Sequence, residues 1–388
     1  LFALVLILVA AILVKQRLRV PEPGDPVPFL SMEERARFER GREEFENTFS
    51  PDSGLGPLFN SEACGECHES PVAGGTGDEV ETHVAAYYPD GFCDLLANEG
   101  GPVVQQRTTP ALARAMGIDR EPTPRSTTVI AMRTTPDVFG FGLLDAVPDS
   151  LILALADPDD HNGDGISGRP NRFLDGRIGR FGRKAFVPHL SEFNHGAFVA
   201  EQGITNPDVS SEENIGGLPI PDGVDPTPEP EIDQRTMELV DDFMRFLAPP
   251  APRGLSASGR RGREIFHKIG CQSCHVPTLV TGNHPVRALR YRRITAYTDL
   301  LLHDMGPELA DICFGEATPS EFRTEPLMGL RFSDEPEEGE PHFLHDGRAK
   351  SVEEAIRLHG GEAQASRDRF IALSETERRA LVEFLKSL

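Results

Sequence analysis

The chain has 388 residues, enough for two ordinary domains or one large one with insertions. Its formal net charge of -23 excludes nucleic acid as the main partner, because phosphate binding needs a basic stripe. That charge suits an exported body meeting basic partners, and an apolar content of 38% is enough for a sizeable core.

In chain order, LFALVLILVAAILV (residues 1–14) opens the sequence, followed by Lys15, Arg17 and Arg19. A span needs about 20 apolar residues, so this segment is expected to be a truncated membrane anchor or signal segment. No small-residue cleavage pattern follows, which favours a retained anchor, although the basic flank fits an exported body poorly. Residues 15–30 read as a Pro-rich spacer. Ser31 and Glu34 form a capping box for a helix with Phe38, Phe45 and Phe49 near one face. TGDEVETHVAAYYP reads as loop. DSLILALA predicts a helix at 148–156 with Asp149 as its cap. Residues 206–233, rich in Pro and acidic groups and free of Lys and Arg, read as a solvated linker. A helix is expected at 233–247, and APPAPRG (248–254) is the best boundary. The division is therefore 31–205, a connecting region 206–252, and a second unit 253–388. In that unit, Ser351 and Glu354 start a helix near Val352, between His345 and His359, that Gly360 and Gly361 should end. Ser374 and Glu377 cap a closing helix with Leu381, Phe384, Leu385 and Leu388 as its buried stripe. No long alternating run suggests a large sheet, so the fold class is mostly α with much irregular chain.

Cys64-Gly65-Glu66-Cys67-His68 and Cys271-Gln272-Ser273-Cys274-His275 are both C-x-x-C-H. Two thiols three positions apart on a helical turn can add to the vinyl groups of one haem, and the next histidine then faces the iron. A redox dithiol or zinc knuckle is the alternative, but neither uses a histidine directly after each pair. Two covalent c-type haems, and two c-type cytochrome domains, are the expectation. Such attachment is normal on the exported side of the membrane, which places the chain in the periplasm or its equivalent. Cys93 and Cys313 are then spare, and in an exported chain they are expected to form a disulfide; two free buried thiols are the alternative. In DPDDHNGDGISGRPN, residues Asp160, Asn162, Asp164 and the Ile166 carbonyl follow a calcium-loop pattern, with Gly165 at the turn. Asn171 cannot give the bidentate twelfth ligand, and a plain Asx-rich turn is the competing reading.

GLGPLFNSEACGECH, FGFGLLDAVPD, DHNGDGISGRPN, GRFGRKAF, YTDLLLHDMGPELAD, EFRTEPLMGL and FLHDGRAKSVEEAIRLHGGEA together resemble the di-haem oxidoreductase family, also labelled thiol oxidoreductases. This family is a distant relative of the bacterial di-haem cytochrome c peroxidases and of the di-haem enzyme that matures methylamine dehydrogenase. The resemblance covers roughly residues 31–388. It implies His68 and His275 as near-side iron ligands. It also implies His359 as the far-side ligand of the second haem, where the related peroxidases usually have Met. Met305 is a rival for that place, and His345 is expected to line the haem pocket. For the far side of the first haem the resemblance points to His83, with His195 as another candidate; if neither binds, that iron is open to substrate. The sequence has no Trp, so a tryptophan relay between haems is not available in the block that here holds Phe322 and Met328. Tyr297 is expected to be a core residue. No thiol substrate is supported.

The function implied is a membrane-anchored, extracytoplasmic, peroxidase-like di-haem oxidoreductase, with catalytic residues unassigned. Its redox partner would be a basic small cytochrome or a membrane complex. The rival is a non-catalytic electron-transfer subunit with both irons six-coordinate, and a third reading is a docking cytochrome whose activity has decayed.

Overall fold

Two helix pairs, each crossing at a glycine, frame the molecule; the computed structural model describes residues 20–336 and 339–388. Helix α1 (Met32–Phe45) starts at Ser31, whose hydroxyl accepts from Glu34 N while the Glu34 carboxylate accepts from Ser31 N. It crosses α3 (Gln234–Phe246), with Phe38 and Phe45 packed on Phe243 at 5.3 and 4.8 Å between ring centroids. A Cβ on Gly41 would collide with the Leu239 carbonyl, so only glycine allows the backbones this close. Between them in sequence lies α2 (Leu190–Gln202), which also packs on α3. The second pair repeats the design. Gly262 of α4 (Ala257–Lys268) sits against the Ala380 carbonyl of α6 (Glu375–Leu385), and Phe266 meets Phe384 at 5.5 Å. The short helix α5 (Val352–Leu358) lies between them in sequence. The repeat is written in the chain as RGREEF at 40–45 and RGREIF at 261–266.

The class is mixed rather than mostly α. Strand β1 (Val80–Tyr87) is the centre of a four-stranded antiparallel sheet, pairing with β2 (Cys93–Asp94), β3 (Val103–Val104) and β4 (Val129–Thr134). TGDEVETHVAAYYP is therefore a strand and not a loop. Its Val84, Ala85 and Ala86 are buried, while the polar Glu81 and His83 that suggested a loop face a cavity. A smaller ladder joins β5 (Leu302–Asp304) to β6 (Glu321–Arg323), with His303 opposite Phe322.

The larger core runs from Val27 to Met328 and takes in Leu279, Leu289, Leu300 and Leu301, from beyond the Pro-rich 248–254 stretch. The second core is built on Ile265, Phe266, Phe370, Leu381, Phe384 and Leu388. The acidic segment 206–233 is an irregular and largely exposed stretch, as expected, but it is pinned at a few points, where Ile215 and Val224 join Leu58 and Leu112 in a small core. Its Glu212, Asp225, Glu229 and Glu231 carboxylates gather within 4.8 Å of one another. Burial pushes the Glu212 and Glu231 carboxyls up. The helix Asp149–Leu155 has no side-chain cap; Asp149 pairs instead with Arg180. Cys93 and Cys313, 220 positions apart, are joined by a disulfide with Cα atoms 6.0 Å apart. Among the described residues no helix is long and apolar enough to cross a membrane, and the expected anchor at 1–14 lies outside them.

Candidate functional site

Each C-x-x-C-H opens onto its own cavity. Cys64, Cys67 and His68, on a single helical turn, line a cavity of about 370 Å³ together with Phe45 and Met244. Cys271, Cys274 and His275 line another of about 270 Å³, with His359, His345 and Met305. The four thiols are free. Burial pushes Cys64, Cys67 and Cys271 up to about 12 and raises Cys274, the reverse of what a redox dithiol needs.

Three histidines share one device. His68 Nδ1–H donates to the Gly75 carbonyl at 3.2 Å, His275 Nδ1–H to the Tyr297 carbonyl at 3.0 Å, and His359 Nδ1–H to the Ala355 carbonyl at 2.7 Å. A carbonyl only accepts, so each Nδ1 holds the proton and each Nε2 keeps a free lone pair. This is the orientation a metal-binding imidazole takes from its surroundings. Burial lowers all three, His275 to about 4 with His359 contributing, so the rings are neutral at neutral pH. His359 is the residue at which α5 ends. Ser351 accepts from Glu354 N, but the Glu354 carboxylate accepts from Lys350 N, so the capping box is half formed. After His359, Gly360 runs so close to Met305 that a Cβ would lie 2.7 Å from its carbonyl oxygen. Tyr297 is a core residue, its ring edge-on to Phe266 and Phe384.

His83 is different. It is buried on β1 and lines the first cavity, but its Nε2 lies 2.9 Å from Glu81 Oε2. The carboxylate holds the proton on Nε2, and the buried Nδ1 has no hydrogen-bond partner. Burial and then Arg133 lower the imidazole. Burial raises Glu81, but the bond from His83 and nearby positive charge outweigh it and hold the carboxyl below its usual range. Glu201, in the same cavity, is raised well above its usual range by burial and by Glu81, and accepts from Asn60 at 2.8 Å. One cavity thus holds two carboxyls that their surroundings push in opposite directions.

His195 does not reach this cavity. Its two ring nitrogens face Asp208 at 2.7 Å and Asp241 at 3.2 Å, which removes it as a ligand. His345 is buried beside the second cavity and stacks on Phe322 at 4.4 Å; burial pushes it down to about 4. The Lys184 ammonium also lies over the Phe322 ring, 3.5 Å from its centroid. Lys184 and Arg133 share Asp311, at 2.7 and 2.8 Å. In the 160–171 loop, Asn162 and Asp164 are exposed and Asp160 is half-buried, and their side-chain oxygens accept the loop's own N–H groups. Asn171 is buried and braces Lys184 and Phe314.

Glu81, Glu201 and the arginines were not readable as site residues. The spacing of Glu81 and His83 on one face of a strand was the available signal. Thr134, Thr135, Pro136, Arg183 and Arg323 line both cavities and form the wall between them.

The donor chemistry fits two haems: paired thiols and a neutral imidazole with a free Nε2 at each cavity. No curated protein matches the sequence. Hydrazine synthase from Kuenenia stuttgartiensis is similar in structure, with 14% identity and a TM-score of 0.43, covering 95% of this chain and 95% of that one. A MauG-like protein associated with microbial copper homeostasis is similar at 16% identity and a TM-score of 0.40, covering 96% and 93%. Residues 125–388 match the family described as "Di-haem oxidoreductase, putative peroxidase", and the chain belongs to that family.

Proposed function

We propose that the chain is an extracytoplasmic c-type di-haem oxidoreductase that reduces a peroxide at its first cavity with electrons received through its second. Cys64 and Cys67 would hold one haem and Cys271 and Cys274 the other, with His68, and His275 with His359, as iron ligands. A haem in each cavity supplies electron storage and, where an axial position is open, peroxide activation.

One observation carries this reading. The second cavity offers two imidazoles with a free Nε2, whereas the first offers only His68, because His83 Nε2 is committed to Glu81. Glu81 accepts a proton from the incoming peroxide and returns it to the departing oxygen, while His83 holds the carboxylate in place. Glu81 thus returns the peroxide's own proton; of the two further protons that reduction consumes, Glu201 would relay one and solvent the other, and Arg133 stabilises the negative charge that develops. Peroxide, two electrons and two protons give two waters.

The unpartnered His83 Nδ1 favours a second reading, in which that nitrogen closes the first iron and the chain is an electron-transfer subunit. The spin state of the first haem, as isolated and half reduced, separates the two. A high-spin signal with peroxide turnover is expected, and Glu81→Gln should cost about 10²–10⁴ in turnover at unchanged haem content. Two haems that stay low-spin without turnover overturn the peroxidase reading.

The disulfide supports export, residues 1–14 support attachment to a membrane, and the net charge of -23 supports a basic redox partner. Calcium at Asp160, Asn162, Asp164 and the Ile166 carbonyl is proposed on the ligand pattern alone.

A further inference from the structure

The wall between the two cavities carries surplus positive charge. Arg323 is 5% exposed, and its Nη2 donates to Glu325 at 2.7 Å. Its Nε and Nη1 are buried with no hydrogen-bond partner. Arg183 also reaches Glu325, at 3.2 Å, and donates to the Thr134 carbonyl at 3.0 Å. Two guanidinium groups therefore share one carboxylate. The other acid facing the second cavity here, Asp137, is pushed up to about 7 by burial and by Glu325, so at neutral pH it offsets only part of the excess. Arg133 and Lys184 also share one acid, Asp311, but Arg133 donates to it through both Nε and Nη2, and Lys184 donates to the Pro319 and Glu321 carbonyls as well. Unmatched buried N–H groups on a charged side chain are costly unless an anion completes them, and a guanidinium suits carboxylates in two-pronged geometry.

We infer that Arg323, with Arg183, is a shared clamp for the carboxylate side chains of both haems. The inference rests on the two-haem reading above. The supporting facts are that both arginines line both cavities and that the unsatisfied nitrogens of Arg323 lie in the wall between them. As positioning residues they tie the two centres together, because one cation stabilises the reduced form of each. Loss of that cation disfavours the added electron at both irons.

The test is spectroelectrochemistry of the intact holoprotein, with haem content measured on every sample. Arg323→Gln should lower the reduction equilibrium constant of both haems about tenfold, or 59 mV for a one-electron couple. Arg323→Lys should restore both potentials, yet still shift the propionate bending bands in resonance Raman, because an ammonium cannot replace the fork. Arg183→Gln, at a less buried position, should lower both potentials in the same direction and serves if Arg323→Gln fails to fold. With two haems per chain present, a shift at one haem alone, no shift, or unchanged Raman bands overturns the clamp. A wild-type chain with fewer than two haems overturns the reading beneath it instead.

Discussion

At the scale of single residues, what distinguishes the histidines is which nitrogen the protein has already used. His68, His275 and His359 each give Nδ1–H to a backbone carbonyl, an acceptor that mutation cannot remove. The second haem is therefore expected to be bis-histidine, with a lower potential than a Met/His centre. His359→Met should raise that potential and add a methionine-to-iron charge-transfer band, and His359→Ala should change the second haem's spectrum. An unchanged spectrum in His359→Ala would remove it from the ligand set. The C-x-x-C-H motifs and His359 were legible in sequence because their chemistry depends on local spacing. Glu201 and Arg323 were not, because they are 137 and 256 positions after Cys64 and Cys67 respectively, and only the folded chain brings them to the wall or the cavity.

At the scale of elements, α1, α3 and α6 were readable because a cap and a 3.6-residue apolar stripe coincide in them, whereas α2 escaped, its His189 making no side-chain cap. Ser31, Asp233 and Ser374 all accept the backbone N–H groups expected of N-caps. The strands escaped, most of them being two or three residues long and so without a period to detect. β1 is long enough, but Glu81 and His83 face a cavity and disguise its buried side. The repeated RGRExF segments take their meaning from the glycine contact that only the fold shows. Gly262→Ala forces α4 away from the Ala380 carbonyl and should cost about 3 kcal/mol in urea unfolding. Helix propensity alone predicts a gain of about 1 kcal/mol from the same change, so the sign decides between the two effects.

At the scale of the whole molecule, the Cys93–Cys313 bridge closes a loop that contains most of the described chain. A Cys93→Ser/Cys313→Ser variant should lose about 2–5 kcal/mol by thermal or chemical unfolding. Equal stability would show that the buried Arg133–Asp311–Lys184 cluster, which also joins β4 to the later chain, fixes that contact unaided. The larger core was not predictable from the Pro-rich boundary, because residues 279–301 return across it to bury their leucines with the earlier chain. The same burial has a further effect on sulfur chemistry. One chain carries an oxidised pair alongside four thiols that must stay reduced if they are to be alkylated. With three of those thiols pushed up to about 12, each of the three is a thiolate only about once in 10⁵ molecules at pH 7. Disulfide exchange proceeds through thiolate, so the folded chain resists scrambling among its own cysteines. The fold acts as a sorting device for sulfur, and cofactor attachment must draw on a state in which those cysteines are more open to water.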